Sequence, residues 1–81
     1  MSSYIAAFHT HLSALMTNRA MTAAGISSRM APVPRKLSSS CGTCVFYEAE
    51  HPCAALLDAD TERVWEVLGE DSYRLVLDLE E

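Results

Sequence analysis

Asp60-Thr61-Glu62-Arg63-Val64-Trp65-Glu66-Val67-Leu68-Gly69 carries the signals of a helix. Asp60 or Thr61 can cap its start, because a short oxygen-bearing side chain accepts from the free amides of a first turn. Val64, Trp65 and Leu68 form an apolar stripe at helical spacing, and Gly69 follows as a terminator. On this reading Trp65 belongs to the core. Asp58, Asp60, Glu62, Glu66, Glu70 and Asp71 form the helix's caps and solvated face. Beyond it, Tyr73, Leu75, Leu77 and Leu79 alternate with Arg74, Val76 and Asp78, the clearest strand pattern in the chain. Before it, His51-Pro52 reads as a helix start, with a separate short turn reaching Leu57.

Moving further toward the N-terminus, Thr43 to Glu48 alternates and is rich in β-formers. Ile26 to Ala31 is a weaker strand, stopped by Pro32-Val33-Pro34, since proline cannot donate to a ladder. Gly25 stands where a helix-ending glycine belongs. The helix it ends is capped by Thr10 and carries the stripe Leu12, Leu15, Met16, Ala20 and Ala23. Tyr4 to Phe8 is a short apolar run, read as a buried strand. The order is then β-α-β-β-α-β. Two right-handed split units of this kind give an α+β, ferredoxin-like domain: a four-stranded antiparallel sheet with two helices on one face. The other face is bare in a monomer, and Phe8 and Phe46 fit either there or in the core.

The chain has 81 residues, which allows one domain, residues 1–81. Six Lys+Arg against eleven Asp+Glu leave a net charge of −5, which disfavours nucleic acid and anionic membrane surfaces as partners. Apolar residues at 49% exclude a disordered tail. A chain of this mass buries only about 63% of its extended surface, so self-association, such as a homodimer, is an expected source of stability. Three cysteines cannot build a disulfide framework, and no signal peptide or membrane span is recognisable, so a cytoplasmic, reducing location is expected.

The proposed topology brings chemistry to one edge. The end of the first strand and the start of the first helix, His9, Thr10 and His11, should meet the loop that contains Pro34, Arg35, Lys36, Ser39, Ser40, Cys41 and Gly42. The free amides and positive dipole end of the helix, with Arg35 and Lys36, would favour thiolate at Cys41. Gly42 permits close backbone approach. The plainer alternative is that Cys41 is a small hydrophobe on a solvated loop. Cys41-Gly42-Thr43-Cys44 is a C-x-x-C, but a strand and not a helix follows, so Cys44 is expected to pack. Cys41, Cys44, His51 and Cys53 are zinc-competent, yet an intervening strand of about 20 Å would hold them apart, so no metal is expected there. Only three glycines are present and no phosphate loop, and no Ser-His-Asp order stands out.

Phe8-His9-Thr10, Ala24-Gly25-Ile26 and the stretch from Pro32-Val33-Pro34-Arg35 to Ser39-Ser40-Cys41-Gly42 resemble the small bacterial selenium/sulfur carrier-like domains, over residues 4 to 47. Cys44, the segment from Glu50 to Asp58, and Thr17 or Asn18 depart from that pattern. The resemblance implies a carrier in which Cys41 holds sulfur as persulfide, or its selenium counterpart, between a donor and an acceptor protein. The helix start at Thr10 and His11 would steady the terminal anion, and Arg35 would lower the thiol pKa and dock the partner. No organic cofactor is implied. A carrier does not turn over alone, so no enzyme activity is assigned. A non-catalytic, dimeric binding module of the ferredoxin-like class is the alternative.

Overall fold

A computed structural model describes residues 1–80. Its elements are β1 (Ser2–Phe8), α1 (His11–Ala23), β2 (Ser28–Pro32), β3 (Thr43–Ala49), a 3-10 turn (Ala54–Leu56), β4 (Thr61–Gly69) and β5 (Ser72–Asp78). The strands form one antiparallel sheet in the order β2-β3-β1-β4-β5. No helix among the described residues is long and apolar enough to cross a membrane.

The apolar run at the start of the chain explains the centre of the sheet. Tyr4 to Phe8 are all buried, and β1 is flanked on both sides by longer-range partners, β3 and β4. Tyr4, Ala6 and Phe8 join Ala14 and Met21 of α1, together with Val45, Tyr47 and Val64, in the core beneath the helix. Ile5 lies opposite Phe46 and Trp65 on the other face. Phe8 is thus core, and Phe46 is half-buried on the second face under the Arg29 guanidinium, 4.5 Å from its ring centre.

α1 begins and ends as its sequence signals require. Thr10 is the N-cap and accepts from the Ser13 amide at 3.2 Å. At the other end the Gly25 amide donates to the Thr22 carbonyl and the Ile26 amide to the Met21 carbonyl. Gly25 supplies the left-handed turn this closure needs, at φ 81°. The helix is rotated from the expected stripe, however. Its buried residues are Ser13, Ala14, Thr17 and Met21, while Leu12 and Met16 are 64% and 48% exposed. Polar contacts on the inner side fix this rotation: Ser13 donates to Asp60, and Thr17 Oγ1 accepts from the Asp58 amide at 3.0 Å.

The ferredoxin-like expectation is overturned at residues 61–69. They form β4, paired with β1 on one side and β5 on the other, so the described residues form five strands and one long helix. Thr61, Val64, Trp65 and Val67 are β-formers, and pairing on both edges outweighs the helical spacing. That spacing is itself a product of irregular pairing. The register with β5 shifts at Val64/Trp65 and again at Val67/Gly69, and Leu68, in the second shift, is 53% exposed. Gly69 pairs with Ser72 across a tight turn in which Asp71 takes φ 55°, so Gly69 ends no helix. Trp65 is half-buried, opposite Leu75. The short turn ahead of Leu57 is present as the 3-10 segment.

The loop from Val33 to Gly42 runs over the face opposite α1. Its base is closed by the Val33 amide donating to the Gly42 carbonyl at 3.1 Å. Lys36 Nζ donates to the Asp71 carbonyl at 2.9 Å, and Lys36 and Leu37 share a shallow cavity with Trp65, Tyr73 and Leu75.

Urea unfolding tests the helix rotation. Met21→Ala should cost about 2–5 kcal/mol, as truncation of a fully buried side chain does. Leu12→Ala, on the stripe legible in the sequence, should stay within about 0.5 kcal/mol of wild type.

Candidate functional site

β1 delivers its last residues to the point where the Val33–Gly42 loop returns to the sheet. Ser39 Oγ donates to the Phe8 carbonyl at 2.8 Å. The Ser40 amide (3.2 Å) and hydroxyl both donate to the Glu62 carboxylate. His9 Nδ1 lies 3.2 Å from the same carboxylate. His11 Nδ1 stands 3.4 Å from Thr43 Oγ1, just past the loop. His9 thus meets the loop through the Glu62 carboxylate that it shares with Ser40, His11 reaches Thr43 and not the serines, and Thr10 turns to Ser13 and Asp60.

Glu62 departs from the pattern of its sequence: the helical spacing places it on a solvated face, yet it is only 4% exposed. Between Ala7↔Arg63 and Phe8↔Thr61 the β1–β4 register shifts, leaving Glu62 as the unpaired residue of a bulge. Burial pushes its carboxyl pKa up, but the Ser40 hydroxyl and amide, the Ser39 side chain and the neighbouring His9 together hold it below the usual value. The cue available in the sequence was an acid among β-formers.

The start of α1 is answered by a different anion from the one expected. Asp60 Oδ2 accepts from Ser13 Oγ at 2.8 Å and from Thr10 Oγ1 at 3.2 Å. The Ser13 hydroxyl, then Thr10, lowers the Asp60 pKa. A carboxylate, not a thiolate, thus complements the helix end, and Asp60 serves the first helix instead of capping a second. Lys36 is drawn away to the Asp71 carbonyl, and Arg35 is exposed beside a half-buried Pro34.

The three thiols are in different settings. Cys41 is half-buried, with Sγ 3.4 Å from the Thr43 carbonyl and 3.9 Å from Ser39 Oγ. Gly42 beside it takes φ 74°, a left-handed conformation that favours glycine, and Cys41 itself packs against the edge of the core. Cys44 is fully buried in β3, and burial pushes its thiol up to about 12, with nearby Cys41 adding to the rise and Arg29 opposing it. Cys53 is buried, with its sulfur 3.3 Å from the His51 carbonyl. β3 separates Cys41 from His51 and Cys53, as anticipated, and the zinc-competent four do not gather. Among the described residues the side chains that do gather with metal-ligand chemistry are His9, Glu62 and Glu80.

The family described as "Putative Se/S carrier protein-like" matches residues 3–70. The chain belongs to that family. The match takes in β1 through β4, the Val33–Gly42 loop and Cys41, and stops before β5. The chain is also 33% identical over 46 residues to the uncharacterized protein YtiA of Escherichia coli (strain K12), covering 57% of this chain and 54% of that one. It therefore spans about half the length of this curated relative. No solved structure matches.

Two outcomes are expected. Glu62→Gln keeps an acceptor but removes the charge, and should cost about 1–2 kcal/mol at pH 7. Because the folded carboxyl has a lowered pKa, this contribution is present above the ordinary glutamate value and is lost as pH falls through the folded one. The gap between wild type and variant in urea midpoint should close below about pH 4.3. Separately, a neutral alkylating reagent should modify native Cys41 first, with Cys44 and Cys53 reacting only after denaturant is added, as peptide mass mapping would record.

Proposed function

We propose that this member of the Se/S carrier-like family carries sulfur, or selenium in its place, on Cys41. One observation supports the choice of residue above the rest: Cys41 is the thiol that reaches the surface, while Cys44 and Cys53 are buried. The transfer needs no net oxidant. The Cys41 thiolate attacks the terminal sulfur of a donor persulfide; a new S–S bond forms at Cys41, the donor's S–S bond breaks, and the donor leaves as its thiolate. An acceptor thiolate then attacks the outer sulfur of the Cys41 persulfide, and Cys41 is the leaving group. A selenium atom follows the same course through an S–Se bond.

Cys41 Sγ lies 3.4 Å from the Thr43 carbonyl and 3.9 Å from the Ser39 hydroxyl, which donates to the Phe8 carbonyl. Pro34 and exposed Arg35 offer a partner a fixed, positively charged ledge in an otherwise acidic chain. His11 lies beside Thr43 at the margin of the same surface. His9, Thr10 and Ser40 act from behind, through Glu62 and Asp60, by setting where the loop stands. The partners on this reading are a persulfide-bearing donor protein and a thiol-bearing acceptor.

Incubation with a cysteine desulfurase and cysteine should add one sulfur atom to the intact mass, removable by a thiol reductant and mapping to Cys41. Cys41→Ser should abolish it, and Arg35→Ala should slow loading about tenfold or less, as loss of a rim charge does. Loading that maps to Cys44 or Cys53, with Cys41 untouched, would refute the assignment.

A further inference from the structure

We infer that His9, Glu62 and Glu80 form a binding site for a divalent transition-metal ion of the zinc class, separate from the carrier thiol and independent of that reading. One imidazole nitrogen and one oxygen from each carboxylate lie within 4.8 Å of one another. The three ligands come from the end of β1, the bulge in β4 and the segment after β5. The last is placed by the Leu79 amide, which donates to the Glu62 carbonyl at 2.9 Å.

His9 is set between the two carboxylates, with Nδ1 3.2 Å from Glu62 Oε2 and Nε2 2.7 Å from Glu80 Oε2. Two carboxylates beside one imidazole gather negative charge at one point of the surface, which a divalent cation bound to one ring nitrogen and to both carboxylates would offset. No local side chain supplies the charge: Arg63, which lines the same cavity, is paired with Asp78 at 3.3 Å.

The ligand chemistry and its support also fit. One imidazole with two carboxylates is a borderline-hard set suited to Zn²⁺ and its neighbours, and not to a soft, thiolate-seeking ion. Glu62 is nine-tenths buried and oriented by the Ser40 amide and hydroxyl, the kind of outer support that fixes a ligand carboxylate. A cavity of about 340 Å³, lined by Ser38, Ser39, Ser40, Glu62, Arg63 and Glu80, leaves room for water in the remaining position. Because Ser40 is one residue from Cys41, an ion here would also steady the thiol-bearing loop.

Zn²⁺ and Co²⁺ titrated at pH 7.5 into the full chain provide the test. One equivalent should bind, by calorimetry, and the cobalt form should show visible bands without sulfur-to-metal charge transfer. His9→Gln and Glu80→Gln, the second at a half-exposed position where the fold is safe, should each weaken binding at least about tenfold. Cys41→Ser should leave it unchanged. No saturable uptake would overturn the site. So would binding indifferent to both glutamine variants, or a thiolate band in the cobalt spectrum.

Discussion

The double-sided burial of β1 is the constraint from which the rest of the molecule follows. Ile5, Ala6, Ala7 and Phe8 have no measurable exposure, so apolar surface must be covered on both faces of a single strand. One face is covered by α1 and the 3-10 turn. The other is crossed by the loop between β2 and β3, anchored at the Asp71 carbonyl, the Phe8 carbonyl and the Glu62 carboxylate. Covering that second face carries Ser39, Ser40 and Cys41 to the end of β1. The arrangement of the site is in this sense a by-product of how the central strand is shielded from water.

Much of the first half of the chain was readable because its signals are local. Thr10 caps through its own hydroxyl, Gly25 closes the helix through its own backbone, and Thr43 to Glu48 alternates along an unbroken ladder. The second half was not, because its pattern reflects pairing errors built into the sheet. Shifts in register on either side of Trp65 move apolar residues off a period of two, and what remains, Val64, Trp65 and Leu68, imitates a helix. The same irregularity spoils the alternation of β5, where Val76 and Leu77 both pack toward the core.

The site divides along the same line. Cys41 and the serines before it could be singled out because a loop rich in such residues stands apart from its apolar flanks. The position of the loop near His9 also followed from topology, since β1, α1, β2 and β3 are arranged as read even though the rest is not. Glu62 and Asp60 could not be placed, because their roles depend on β4 being a strand. On a helix Glu62 would be solvated and Asp60 would cap that helix; on a strand the first is buried and the second reaches the head of α1.

The head of α1 has a bearing on how the chain folds. The helix has no acidic side chain in its own first turn, and the carboxylate that serves it, Asp60, joins Ser13 across a separation of 47 residues. An isolated helix of 13 residues is marginal in water, and this one lacks even the local charge that would help it start. The head of the helix is therefore held by the segment that leads into β4, and not by its own first turn.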